Sequence, residues 1–469
     1  MPSPCQNASR NAVIAQHRIE QASERCRCFS HHRAPAAEPD PVTMAREPTT
    51  VANAISMTEE QSRGDCQHRQ VRVLIVGLGP AGSACGMGLA DSGLDVLAID
   101  RAHFPRDKIC GDALPLNSQT LIQKLGLNDQ SPQLQKRSFL AEQGSVRARQ
   151  YSNRNSHGGW HRNGNGILSG TPCMQTVRRR ELDHWLMQRC KDQQLAMQFG
   201  WQAERLHWDA NEQRWKVSGS IHDPAGQRTG QFAIKAEFVV GCDGAGSMIQ
   251  RHCHLSQGRP LLALASRCYL GDEAMARSDR GSGEPISRID YRWPGEATYA
   301  WAFAVPGGYN CGVAAMPTPE GGHGLRGKEL IQRTRLWIDH LLCQLDGQRP
   351  IKRHDATASS QREIRTMAIP VLHPIAQLQP PAGVLLTGDA ASLVDPHQGH
   401  GIDRAMESGA LAAEVLRNGI SAGLGPHELT EHFQDRLHTW IEIWRQDWHA
   451  LALERMDDQA LNQALVGLS

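Results

Sequence analysis

The chain has 469 residues, of which 40% are hydrophobic, with 50 Lys and Arg against 49 Asp and Glu for a formal net charge of +1. That length holds two domains with substantial cores, at about 150 residues each, and the near-neutral charge excludes a nucleic-acid partner held by a basic face. No run approaches the roughly 18 apolar residues of a membrane span, the N-terminus lacks an apolar signal core, and the 13 Cys form neither a disulfide framework nor a zinc site, so a soluble protein of the reducing cytoplasm is expected.

Residues 1–68 mix Arg, His, Ser, Pro, Ala and Glu without helical or strand period. They read as a disordered tail, or as sequence upstream of a start at Met44 or Met57. The acids Glu20, Glu24, Glu38 and Asp40 count against a targeting peptide.

Val71–Arg101 reads as strand, glycine turn, helix, strand, acid. The apolar run Val71–Val76 enters Gly77-Leu78-Gly79-Pro80-Ala81-Gly82, a helix of small residues follows, and Val96–Ile99 ends at Asp100 and Arg101. In such a turn Gly77 permits the tight bend, Gly79 lets a pyrophosphate approach the backbone and Gly82 lets helix and strand lie close. The helix N-terminus offers free N–H groups to phosphates, and an acid about twenty residues on suits ribose hydroxyls.

A charged loop, His103–Leu114, leads to a helix expected near Ser118–Leu125, and Asn163-Gly164-Asn165-Gly166 marks a turn. Val177–Asp183 opens a helix with Leu182, Trp185, Leu186 and Cys190 on one face. A hairpin is expected between Trp201 and Ile234 around Asp223–Gly226, followed by a buried strand, Phe238–Val240, that runs into Gly241-Cys242-Asp243-Gly244. From about 260 to 370 the short apolar runs Leu262–Leu270, Ile286–Trp293, Tyr299–Val305 and Tyr309–Met316 suggest an antiparallel sheet carrying a substrate pocket. A further buried strand, Gly383–Thr387, leads into Gly388-Asp389-Ala390-Ala391, then Pro396-His397-Gln398-Gly399-His400-Gly401 and a helix from Ile402. Leu437, Trp440, Trp444, Trp448 and Leu451 form one side of a closing helix, read as core packing or else as a pocket wall or membrane-surface contact.

The ordered set GxGxxG, Arg179-x-x-x-Asp183, Asp243-Gly244 and Gly388-Asp389 resembles the FAD-dependent oxidoreductases of the geranylgeranyl reductase type, within the group typified by para-hydroxybenzoate hydroxylase. Phe104–Leu114, Tyr299–Phe303 and Gly388–Gly409 are similar to the subgroup's own segments. The resemblance implies an α/β fold: a Rossmann-like FAD-binding domain in two parts, 69–260 and 371–425, an inserted antiparallel domain at 261–370 and a helical segment at 426–469. It implies that Gly77, Gly79, Pro80, Ala81 and Gly82 hold the FAD pyrophosphate, Asp100 and Arg101 the adenosine end, and Arg179 and Asp243 the phosphate region. Gly388 and Asp389 would serve the ribityl chain, and Gly399 and Gly401 the ring, with the helix from Ile402 aimed at it. Cys110 would stand beside flavin and substrate, and His400 and His397 are candidate proton sources.

The activity so implied is reduction of a C=C bond in a hydrophobic, prenyl- or polyene-like substrate. A flavin monooxygenase, a halogenase and a non-catalytic flavoprotein are the alternatives. Only one dinucleotide turn is present, so NAD(P)H or a reduced electron carrier is expected as a transient donor. Peripheral contact with a membrane is compatible with such a substrate.

Overall fold

The structure, a computed structural model, describes residues 66–115, 135–137, 139–142, 160–162, 168–170, 174–255, 261–271, 287–291, 298–316, 327–346, 363–371, 378–395 and 399–442. The helix expected near Ser118–Leu125, the turn at Asn163–Gly166, His397, Trp444, Trp448 and Leu451 lie outside the described residues.

β1 spans Cys66–Val76, so the chain is already a strand inside the segment expected to be a tail. Its exposed start pairs with Gln231–Lys235, and its buried end, Val73–Val76, lies parallel to Val96–Ile99. α1 (Pro80–Ala90) follows and then β2 (Val96–Asp100). α2 (Arg179–Asp192) buries Leu182, Trp185, Leu186 and Cys190, the face its period indicates. β3 (Ala196–Phe199), β4 (Trp201–Asp209), β5 (Arg214–His222) and β6 (Arg228–Gly241) complete the first part of this sheet. The expected hairpin is thus a three-stranded meander, and its last strand runs unbroken into the buried Phe238–Val240.

A second sheet begins at β7 (Leu261–Leu270) and continues through β8 (Ser287–Tyr291), β9 (Thr298–Val305) and β10 (Gly308–Ala315). α3 (Gly327–Asp346) then crosses the back of this sheet, and β11 (Arg365–Val371) closes its edge. The strand order is β11-β7-β10-β9-β8, extended by short strands at Phe139–Glu142, Leu168–Gly170 and Trp160–Arg162. β12 (Val384–Leu386) returns to the first sheet, whose order is β4-β5-β6-β1-β2-β3, and pairs in parallel with the end of β6. α4 (Ile402–Ser421) packs on α1, and residues 426–442 form a final helix burying Leu429, Phe433, Leu437 and Ile441. Trp440 packs partly buried against the same core.

Small residues set the spacing of α1 and α4. A Cβ at Gly409 would lie 2.1 Å from the Ala81 carbonyl oxygen, and one at Gly88 2.6 Å from Ala413 Cβ. This close approach brings the N-termini of both helices to the same cavity.

The pattern of short strands gives no warning of α3. It nevertheless buries Leu330, Thr334, Trp337, Ile338 and Leu341, at spacings of three and four. These meet Cys268, Leu270, Ala302, Ala304, Cys311 and Val313, the residues of the sheet that point away from the cavity. Fully buried Trp337 also donates its indole N–H to the Trp301 carbonyl oxygen at 2.8 Å. Trp337→Ala should therefore cost about 3–5 kcal/mol, read as a lower denaturation midpoint. An unchanged midpoint would show that α3 does not seal this sheet.

Candidate functional site

The first glycine turn closes under its own packing. Gly77 has φ +98°, and a Cβ there would lie 2.4 Å from the Cys242 carbonyl oxygen, so no side chain fits. A Cβ at Gly82 would fall 1.8 Å from the Gly77 oxygen. At Gly79 the same construction meets only the Arg106 guanidinium, at 3.5 Å. Gly77 and Gly82 thus shape the turn, whereas the missing side chain of Gly79 leaves open space.

Asp100 fastens that turn to β2. Its carboxylate accepts the Leu78 and Ala102 N–H groups, each at 2.8 Å, with Arg106 Nη2 at 3.8 Å. Arg106 also reaches the fully buried Asp183 at 3.0 Å. Arg179, the start of α2, forks onto the same carboxylate at 2.8 and 2.9 Å. Burial opposes the charge of Arg179, but Asp183 and the Cys110 thiol beside it outweigh that and push its pKa above the ordinary value. Lys108 joins Asp389 at 2.8 Å. Asp243 turns its carboxylate onto Ser247 Oγ and the Met248 and Ile249 N–H groups, and burial raises its pKa against those bonds.

On the opposite side, Gly399 has φ +69° and touches the second sheet, since a Cβ there would sit 2.1 Å from Tyr299 Oη. Gly401 caps α4, and a side chain there would meet Val394 at 2.8 Å. His400 sits between carboxylates, with Nδ1 3.0 Å from Asp403 and Nε2 3.6 Å from Asp395. Burial would lower its pKa, but those two acids raise it above the ordinary 6.5 overall. Burial would raise the Asp403 pKa, but His400, Arg404 and a backbone N–H hold it at about 2.

These groups surround one cavity of about 720 Å³. Cys110, His400, Gly77, Gly79, Pro80, Ala81, Asp100, Arg101, Arg179, Asp243, Asp389, Gly399 and Gly401 all line it. Gly82 and Gly388 stand behind its wall, Gly82 against Gly77 and Gly388 against Ala405.

Sequence reasoning missed Asp112. It is buried at φ +64° and accepts hydrogen bonds from Asn310 Nδ2 at 2.8 Å, Tyr269 Oη and the Arg179 N–H at 3.2 Å. Asn310 Nδ2 also donates to the Cys110 carbonyl oxygen at 2.7 Å, and Trp301 Nε1 donates to Asn310 Oδ1 at 3.0 Å. Burial raises the Asp112 pKa against these bonds. The charged loop offered a hint, but the partners stand 157 and 198 residues away.

Residues 70–260 match the FAD binding domain family. The chain is 29% identical over 369 residues to a menaquinone reductase of Mycobacterium tuberculosis, covering 77% of this chain and 80% of that protein. It is 25% identical over 410 residues to digeranylgeranylglycerophospholipid reductase 2 of Methanopyrus kandleri, covering 85% and 89%. The chain is an FAD-dependent oxidoreductase. The fold of this flavoprotein is shared with a geranylgeranyl bacteriochlorophyll reductase-like protein from Thermoplasma acidophilum, at TM-score 0.57 and 18% identity, covering 79% of this chain and 83% of that one.

The residues present fit FAD. Gly79 leaves room where a pyrophosphate must approach the backbone, the N-termini of α1 and α4 both face the cavity, and Arg101, Arg106 and Lys108 line it. Gly79→Val in the flavoprotein should therefore remove the yellow cofactor with little change in stability, because its φ of −71° suits any residue. Full flavin absorbance in the purified variant would displace the assignment.

The His400–Asp403 pair has a definite pH signature. The raised His400 pKa contributes stability that is complete below 6.5 and lost as pH rises through its folded value. The depressed Asp403 pKa contributes stability present above 3.8 and lost as pH falls through about 2. Both contributions coincide between those limits. Thermal midpoints of wild type and His400→Gln should differ most there and converge at alkaline pH; a constant difference would refute the ion pair.

Proposed function

We propose that this flavoprotein reduces a carbon–carbon double bond in a hydrophobic, prenyl- or polyene-like substrate, with NAD(P)H or a reduced carrier as transient electron donor. The supporting observation is the cavity itself. It runs from the glycine turn and the start of α4 to an apolar wall of Ile289, Tyr299, Trp301, Phe303, Met367 and Ile369 on the second sheet. The relatives, a menaquinone reductase and a digeranylgeranylglycerophospholipid reductase, are named for substrates of that apolar character. Substrates of this kind reside in membranes, so peripheral contact with a bilayer belongs to the same reading.

When bound, FAD supplies two-electron redox chemistry. The chain's own residues bind, orient and exclude water. Gly77–Ala81 and the first turn of α1 would take the pyrophosphate, Asp100 and Arg101 the adenosine end, and Asp389 with Gly399 and Gly401 the ribityl and ring portions. Trp301 and Phe303, both buried, cover the wall against water. Both ring nitrogens of His400 face carboxylates, so His400 fixes the loop before α4. Proton holding then falls to Cys110 Sγ, which lines the cavity with Arg179 beside it.

Anaerobic turnover of a polyprenyl quinone or polyene by the purified flavoprotein with NAD(P)H or a reduced carrier should yield a product that gains two hydrogens across one carbon–carbon double bond. Cys110→Ala should keep its flavin and lose about 10²-fold or more in turnover. A product carrying an added oxygen atom under air would move the activity to a monooxygenase, and unchanged turnover would remove Cys110 from the chemistry.

A further inference from the structure

The cavity face of the second sheet is laid out in rows. Register sets Arg365 beside Arg267, Arg267 beside Gly312 and Gly312 beside Trp301. Two residues along, Met367, Ala265, Ala314 and Tyr299 are aligned, and in the other direction Tyr269, Asn310 and Phe303. Side chains two apart on a strand share a face, so the arginine row lies between an apolar row and the row that grips Cys110 and Asp112.

Arg267 is unusual within this arrangement. It is 4% exposed and lines the cavity, yet among the described residues its side chain makes one hydrogen bond, from Nη2 to Asp107 at 2.8 Å. Its guanidinium stacks 4.2 Å over Tyr269, and its buried Nε has no partner among the described residues. A guanidinium carries five N–H donors, and a buried one is stable only when paired and hydrogen-bonded. Arg365 approaches the same Asp107 oxygen at 3.4 Å and is half-exposed, so it stands toward solvent. Its other partner, Glu363, is 73% exposed, and so screened a pair holds Arg365 weakly.

We propose that Arg267, assisted by Arg365, binds an oxyanion, a carboxylate or phosphate, on a substrate whose apolar body lies along Ala265, Met367 and Ile369. This rests on the reading of the cavity as a site for a hydrophobic substrate. The planar fork of arginine suits either oxyanion, and the row beside it suits an alkyl or prenyl chain. The site would select anionic amphiphiles over neutral ones of equal length.

The test is calorimetric titration of the FAD-loaded full chain with decanoate, decyl phosphate and decanol at fixed ionic strength. The oxyanions should bind about tenfold or more tightly than decanol, the effect of one charge-assisted hydrogen bond, and the tighter of the two identifies the head group. Arg267→Gln should abolish the preference and leave decanol affinity unchanged, Arg267→Lys should retain part of it, and exposed Arg365→Gln should reduce it several-fold. Flavin absorbance establishes that each variant still holds its cofactor. Equal wild-type affinity for decanol, no binding of any probe, or variants that weaken all three equally would overturn the inference. Wild-type protein purified without flavin would overturn the underlying reading, a failure visible before any titration.

Discussion

The buried carboxylate of Asp112 joins the two halves of the molecule. The segment Arg106–Ala113 belongs by connection to the first sheet, but its far end is held by Tyr269 and Asn310 of the second. Its third bond comes from the first N–H of α2. Burying a carboxylate is costly unless its oxygens are satisfied, and here three donors converge on two oxygens. That constraint fixes where the Cys110 backbone lies, since Asn310 Nδ2 bridges Asp112 and the Cys110 carbonyl oxygen. The φ of +64° at Asp112 is sparsely populated for a non-glycine residue and persists because these partners over-determine it.

The rest of the site follows from that junction. With the Cys110 segment gripped by one row of the second sheet, Arg106, Asp107 and Lys108 are carried to Asp183, Arg267 and Asp389 in turn. Each of these acids and bases comes from a different element, so the loop acts as a seam between the glycine turn, the second sheet and the strand-to-helix loop before α4. The glycine-turn side of the cavity is thus built from backbone and ion pairs, whereas its opposite wall is built from side chains of one sheet face. Side chains of one sheet face can change without altering the fold, which is why fold alone does not assign the reaction.

Much of this was legible in the sequence where the signal is local. The β1–α1–β2 unit, α2 and α4 announce themselves by glycine spacing and helical period, and of the fifteen expected site residues that the structure describes, thirteen line one cavity. Gly82 and Gly388 do not, because close packing rather than ligand approach excludes their side chains. α3 was obscured by Thr334 on its buried stripe and by the charged residues around it; Thr334 is tolerated because it bonds the Leu330 carbonyl and Ser266. Asp112, Arg267 and Asn310 were beyond reach for another reason. Their meaning lies in pairings across the two sheets, and no window of sequence contains both partners.

The distribution of charge along the cavity orders these contributions. Asp100, Asp183 and Asp389 absorb Arg106, Arg179 and Lys108 in pairs that are at least partly buried, so those cations are positioned before any ligand arrives. Preorganised charge of this kind avoids the cost of reorganising side chains on binding. His400 extends the same logic to α4, where Asp403 in the first helical turn holds it and the loop through Gly401 with it. Arg267 departs from the rule, since among the described residues the one carboxylate it pairs with, Asp107, is shared with Arg365. Arg106, Lys108 and Arg179 are thus matched within the cavity wall, whereas the buried Nε of Arg267 has no partner among the described residues.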